Sequence, residues 1–348
     1  MKTLMADMTT RIAQEDLKRA GEILKAGGLV AFPTETVYGL GANALDEEAA
    51  AKIYAAKGRP SDNPLIVHIA ETEALEEIAA EIPRKARILA KEFWPGPLTM
   101  IFKKSEKVPY GTTGGLDTVA VRMPNHPIAL AVIRSGGGYI AAPSANTSGR
   151  PSPTAAVHVA QDLDGKIDMI IDGGNVGIGL ESTIVDMSGD TPVILRPGYI
   201  NQAMLEQVIG PVQMDAGLIR EDSGIRPKAP GMKYKHYAPK ADLVIVQGEP
   251  EDVARKINEL TVLEEGEGQS IGIIASEENK GRYCKGIVKS IGSIQDEITI
   301  AQHLYGVLRE FDELKVTKIY SEAFDTPQMG QAIMNRLVKA AGHQILKV

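Results

Sequence analysis

Along the first two hundred residues, short continuous apolar runs alternate with stretches whose apolar positions recur every three or four residues. LVAF, PLIVHIA, LTMIF, TVAVRM, YIAA, DMIID, STIVDM and PVILR have strand length. The intervening segments 14–26, 47–57, 72–80, 84–93, 126–135 and 154–163 have helical spacing. Asp46 ahead of Glu47 and Glu48 predicts a helix start, and Gly58 predicts that helix's end. Ser152–Pro153 predicts a second start, with serine as the cap and proline in the first helical position. Near-continuous apolar strands separated by helices predict an α/β domain whose sheet is largely covered.

After NQAMLEQVIG the periodicity breaks, and residues 212–240 are rich in glycine, proline and charge. A stretch this long is a linker or a functional segment rather than a routine connection. Alternation resumes with DLVIVQ, a helix near 250–263, SIGIIA, a helix near 298–314, VTKIYSEAF and a last helix from about 328. The predicted organisation is a first domain over 1–211, a linker or lid over 212–240, and a smaller α/β domain over 241–348.

Composition narrows the function classes. No apolar run approaches the ~20 residues that span a bilayer, and no signal-peptide pattern opens the chain. The single cysteine, Cys284, excludes an internal disulfide and fits a reducing compartment, so a cytoplasmic location without membrane attachment is expected. The six histidines show no ligand-spaced pair, which gives no support for a structural zinc site. With a formal net charge of -7, any bound anion must be met by local positive charge.

One such locality is KGRPSDNPLIVH, residues 57–68, where Lys57, Arg59 and Asn63 lie around Pro60 and Pro64. The prolines remove two backbone donors and restrict their neighbours, so the corner is stiff. An ammonium and a guanidinium on such a corner suit a polyphosphate or a carboxylate. As charges in a loop they are expected to contribute little to the core. Lys57 alone is equally explained as a cation facing the helix C-terminal dipole. His68, inside an apolar strand, reads by itself as a core histidine more than as a site residue.

Further candidates surround this corner. FPTETVYGLGANA contains a Gly-x-Gly-x-x-Ala run, but Gly39 comes seven residues after Phe32 and no acid ends the next strand, so a dinucleotide fingerprint is not supported. AAPSANTSGRPSPT, residues 141–154, combines small residues, hydroxyls and an amide ahead of the predicted Ser152 cap, a place for phosphate. GIGLESTIVDM followed by VILRPG adds Ser182 and Arg196 near strand ends. No Ser-His-Asp or Cys-His arrangement and no glycosidase-like acid pair is visible. Phosphoryl or nucleotidyl transfer by cations and positioning fits best.

PTETVYGLG, KGRPSDNPLIVHI, FWPGPLT, VAVRMPNHP, APSANTSGRPSPT and ESTIVD…ILRPG, in this order, closely resemble the YrdC/Sua5 family. APGMKYKHYAPKADL and the second domain resemble its longer, Sua5-type members. The resemblance implies a YrdC-like domain with a twisted mixed sheet covered by helices, plus a smaller C-terminal Rossmann-like α/β domain. It implies synthesis of L-threonylcarbamoyladenylate from L-threonine, bicarbonate and ATP, with Mg²⁺ bridging the phosphates and pyrophosphate released. Threonylcarbamoyl-transferase proteins acting on tRNA beside the anticodon would use the product.

The family's Lys-x-Arg…Ser-x-Asn signature is met by Lys57, Arg59, Ser144 and Asn146, with Lys57 and Arg59 implied as catalytic. By the same resemblance Arg59, Asn63, Thr118, Ser144, Asn146, Ser152, Arg196 and Tyr234 contact ATP. Threonine is held by Thr36, His68, Arg122, Ser182 and the Ala142 backbone. Tyr234 would require residues 220–240 to close as a lid. A related carbamoyl-adenylate maker would carry zinc fingers, which one cysteine excludes. A YrdC-type RNA-binding module without catalysis is the non-enzyme alternative, disfavoured by the net charge and the lack of an aromatic-basic motif.

Overall fold

The computed structural model describes residues 2–215 and 236–348. Tyr234 and most of the expected lid over 220–240 lie outside the described residues. The chain divides into two compact units; the second begins beyond the undescribed segment and also takes in Gly149–Pro151 and Ile178–Leu180.

In the first unit the chain runs β1 (Leu4–Asp7), α1 (Gln14–Lys25), β2 (Val30–Phe32), β3 (Gly39–Asn43), α2 (Glu47–Lys57) and β4 (Ile66–His68). It continues through α3 (Leu75–Ile78), α4 (Arg84–Phe93), β5 (Leu98–Lys103), α5 (Tyr110–Thr113), β6 (Thr118–Arg122) and α6 (Pro127–Ser135). Then follow β7 (Ile140–Ala141), α7 (Ala156–Leu163), β8 (Met169–Asp172), β9 (Thr183–Asp186), β10 (Val193–Arg196), α8 (Gln202–Ile209) and β11 (Gln213–Met214). Among the described residues these strands form one sheet in the order β1-β8-β2-β3-β7-β4-β6-β5-β9-β10-β11. Parallel and antiparallel neighbours are mixed: β4 and β6 run parallel, whereas β3 and β7, and β5 and β6, run antiparallel.

Two details position the site. Asp46 caps α2 by accepting from Glu48 N at 2.9 Å and Ala49 N at 3.3 Å, and Gly58 closes the helix at φ +61°, a conformation costly for other residues. Lys57 is therefore fixed on the last turn. The GLGAN segment is strand β3 rather than a phosphate loop. A Cβ at Gly41 would lie 2.7 Å from the Phe32 ring, so the glycine permits close packing of β2 on β3.

The predicted start at Ser152–Pro153 is not observed. Helix α7 begins at Ala156 after Ala155, which caps with no side-chain hydrogen bond. The Ser152 hydroxyl donates instead to Glu181 Oε1 at 2.5 Å, and this tertiary partner outcompetes the local cap.

The second unit contains β12 (Asp242–Gln247), α9 (Pro250–Gly266), β13 (Ile271–Ala275), β14 (Ile287–Ser290), α10 (Glu297–Glu313), β15 (Lys318–Glu322), α11 (Gly330–Ala340) and β16 (Ile345–Lys347). Among the described residues its five strands are all parallel, in the order β14-β13-β15-β12-β16. Tyr237, from the APGMKYKHYAPKADL segment, is buried in this unit and stacks on Tyr305 with ring centroids 5.2 Å apart. No helix among the described residues is long and apolar enough to cross a membrane.

Candidate active site

Three connections of the large sheet meet: the loop after β2, the turn after α2 and the loop after β7. Backbone bonds lock them together, with Tyr38 N donating to Pro153 O at 2.9 Å, Ala145 N to Tyr38 O at 2.8 Å and Ser148 N to Lys57 O at 2.8 Å.

Lys57 and Arg59 depart from the expectation of loop charges lying in water: they are only 2% and 9% exposed. The Lys57 ammonium donates to Ser144 O at 2.5 Å and to Asn146 O, with Asn146 Oδ1 at 3.5 Å. Ser144 Oγ donates to the same Oδ1 at 2.5 Å. Lys57, Ser144 and Asn146, far apart in sequence, thus form one clasp. Arg59 folds over its own turn, with Nε donating to Asn63 O at 3.2 Å and Nη2 to Pro64 O at 3.0 Å. The Asn63 Oδ1 atom is buried and accepts no hydrogen bond.

Arg122 organises a second group. It ends β6 directly beside His68 of β4 in the parallel register. Nε donates to Gly96 O at 3.3 Å and Nη1 to Thr36 Oγ1 at 2.9 Å. Thr34 gives its hydroxyl hydrogen to Val37 O at 2.6 Å, so in the 2.9 Å contact between Thr34 and Thr36 the donor is Thr36. The Thr36 hydroxyl is then a committed donor that holds Arg122 through its lone pair. Nη2 lies 2.8 Å from Glu35 Oε2, a partner that the sequence reading had not assigned.

His68 is buried with Nδ1 3.1 Å from Ile66 O. Burial, and secondly the Arg122 charge, push its pKa down to about 3, so the ring is neutral. The Ala142 N–H also goes to Ile66 O, at 2.9 Å, which leaves the carbonyl as its backbone contribution to a ligand.

Thr99, aligned with Arg122 across β5 and β6, links this group to the next. Its hydroxyl is 2.7 Å from Ser182 Oγ, which accepts from Arg196 Nη2 at 3.1 Å, while Arg196 Nε donates to Ser182 O at 3.0 Å. Glu181, neighbour of Ser182, holds Ser152. Thr118 is half-buried at the start of β6, ~13 Å along the strand from Arg122 at ordinary rise. Alignment of Ile66 with Ala120 puts it on the side of the Asn63–Pro64 turn.

Thr34, Glu35, Thr99 and Glu181 were missed from sequence. Glu35 and Glu181 each stand directly beside an assigned residue, and that adjacency was the available signal. Among the described residues no three His, Cys, Asp or Glu come together to hold a metal. Cys284 is exposed in the second unit.

Fold and site together define an α/β protein that buries one lysine and three arginines, Lys57, Arg59, Arg122 and Arg196, among the strand-end loops of a mixed sheet. Residues 22–198 match the Sua5/YciO/YrdC family model, described as telomere recombination, and residues 200–342 match the model of the threonylcarbamoyl-AMP synthase C-terminal domain. A threonylcarbamoyl-AMP synthase of Bacillus subtilis is 50% identical, covering 99% of both chains. One from Pyrococcus abyssi is 50% identical over 99% of this chain and 100% of its own. The crystal structure of P. abyssi Sua5 complexed with L-threonine superimposes with a TM-score of 0.94 at 48% identity, covering 99% of this chain and 100% of that one. The chain belongs to the Sua5/YciO/YrdC family.

Proposed function

We propose that this chain is a threonylcarbamoyl-AMP synthase, a nucleotidyltransferase that joins L-threonine, bicarbonate and ATP and releases pyrophosphate and one water, the oxygen lost from bicarbonate as the amine is carboxylated. The observation that carries this reading is the buried clasp of Lys57 with Ser144 and Asn146, the family signature assembled in one place. The full-length relatives bearing that name and the relative complexed with L-threonine support it.

Arg122 holds the threonine carboxylate, with Thr36, Ser182, His68 and the Ala142 carbonyl around the amino acid. A neutral His68 adds no second cation there and acts as a hydrogen-bonding wall. Arg59, Asn63, Thr118, Ser144, Asn146, Ser152, Arg196 and Tyr234 are assigned to ATP. The N-carboxy group of threonine attacks the α-phosphorus through a carboxylate oxygen, and the bond from that phosphorus to the β-phosphate oxygen breaks. Lys57 fixes the 144–146 loop and keeps positive potential beside the phosphorus as charge develops.

Among the described residues the donor set builds no cage for Mg²⁺, and this ion is commonly held by substrate phosphates with few protein ligands. It would travel with ATP and neutralise phosphate charge. The product would pass to threonylcarbamoyl-transferase proteins acting on tRNA. The test is pyrophosphate release: it is expected only when ATP, L-threonine and bicarbonate are all present. Rapid release from ATP alone, or a trapped adenylated protein, refutes this scheme.

A further inference from the structure

Glu35 is an unusual buried carboxylate. Its side chain is 13% exposed and Oε2 lies 2.8 Å from Arg122 Nη2, yet neither of its oxygens accepts a hydrogen bond, and Nη2 donates none. The two opposite charges touch, but the guanidinium N–H bonds are not aimed along the contact. Burying a charge without hydrogen bonds is costly, and folds normally remove that cost with internal partners. The remaining Arg122 donors do find partners, in Gly96 O and Thr36 Oγ1. His126 Nδ1 is also buried without a hydrogen-bond partner, and its ring lies within reach of the Glu35 charge.

We propose that Glu35 is the acceptor for the α-ammonium group of the amino-acid substrate, working as a pair with Arg122. This rests on the assignment of Arg122 to the substrate carboxylate. A ligand that satisfies both Nη2 and a Glu35 oxygen must present an anion and a hydrogen-bonding cation about one carbon apart. An α-amino acid does so. A hydroxy acid does not, because it brings a second anion towards Glu35 with no ammonium between them. The pair therefore selects for the free amino group, the atom that must take up the carboxy group later, and orients its nitrogen away from solvent. Threonine's own hydroxyl plays no part in this selection.

Titration calorimetry on the full chain tests the proposal with three probes: L-threonine, 3-hydroxybutanoate, which is threonine without its amine, and L-threoninol, which lacks the carboxylate. The unaltered protein is expected to bind threonine at least ~10-fold more tightly than 3-hydroxybutanoate, the scale of one charged hydrogen bond. Glu35→Gln is expected to weaken threonine by a similar factor and leave 3-hydroxybutanoate equal or tighter, so that the ratio falls towards one. Glu35→Asp, which keeps the charge, is expected to retain part of the preference and serves if the glutamine variant does not fold. A glutamine or aspartate variant with an undiminished ratio, or an unaltered protein without the preference, overturns the role of Glu35. Threoninol binding as tightly as threonine overturns instead the assignment of Arg122.

Discussion

Two glutamates show how differently the units treat a carboxylate. Glu322, at the end of β15, is 4% exposed and fully engaged: Oε1 accepts from the Tyr283 hydroxyl at 2.6 Å, and Oε2 from Ser276 N at 3.0 Å and Asn279 Nδ2 at 3.3 Å. Burial and then the Glu322 charge push the Tyr283 pKa far up, so that hydroxyl remains a donor. Glu35, at the strand-end loops of the first unit, touches a cation and accepts no hydrogen bond. The first arrangement was completed by folding and acts as structure. The second is left open by the fold, and the ammonium group proposed above would complete it; local polarity alone does not distinguish the two. What distinguishes them is whether the fold itself fills the lone pairs.

The sharpest way to break this comparison is at the clasp. Lys57→Met removes the ammonium while keeping most of the side-chain volume. Pyrophosphate formation is expected to fall by at least ~10², the scale for one transition-state charge partner. Two carbonyl oxygens also lose a donor, so a drop in melting temperature accompanies the loss. If the missing activity returns fully wherever the variant is folded, Lys57 is structural and belongs with Glu322.

Glu322→Gln probes the other side. Its amide nitrogen cannot accept, so at least one of the Tyr283, Ser276 or Asn279 donors is left facing it. A stability loss of about 2–3 kcal/mol is expected in denaturant unfolding, with threonine affinity of the folded protein unchanged. An altered affinity would show that the second unit's carboxylate is not purely structural.

These two outcomes bear on what the sequence could reveal. The strands around His68, Arg122 and Arg196 were legible because their apolar runs are continuous, and the helix ending at Lys57 because Asp46 and Gly58 bracket it. Strand β3 was hidden by its glycines, which look like a loop until Phe32 is seen packing against Gly41. The Ser152 cap was misread because its hydroxyl partner, Glu181, is 29 residues away. For the same reason the burial of Lys57 was invisible: its acceptors lie 87 and 89 positions along the chain. Glu35 carries no periodic signal, only its place beside Thr36, and it takes the 2.8 Å contact with Arg122 to separate it from an ordinary loop acid. Local order was readable, then, while tertiary partnership was not.

A smaller effect comes from pH. The folded His68 pKa of about 3 lies below the ordinary value of 6.5. Below pH 6.5 the unfolded chain binds a proton that the folded one refuses, so stability is complete above that pH and declines as pH falls towards 3. A single group contributes at most about 1.4 kcal/mol per pH unit to that slope. His68→Gln should flatten the slope by up to this amount between pH 6.5 and 5, above the range where carboxylates titrate. Burial also lowers the His126 pKa, so a His126→Gln control separates the two contributions. An unaltered slope in the His68 variant would mean that the ring is charged or exposed in solution.

The smallest expected effect sharpens the comparison by leaving the site chemistry untouched. Asp46 caps the helix that delivers Lys57, eleven residues before the clasp, and its carboxylate accepts from two N–H groups of the first turn. It therefore belongs with Glu322, as a carboxylate whose partners are supplied by the fold. Asp46→Ala should cost about 1 kcal/mol of stability, the usual worth of an N-cap. Lys57 should stay in place, because the last turn is held independently by Gly58 and by the Ser144 and Asn146 oxygens. Pyrophosphate formation at a temperature well below the melting transition should thus match the unaltered protein. If activity instead falls much further than stability, the clasp depends on helix α2 being intact along its whole length, and the line between structural and ligand-completed charges cannot be drawn residue by residue in this unit.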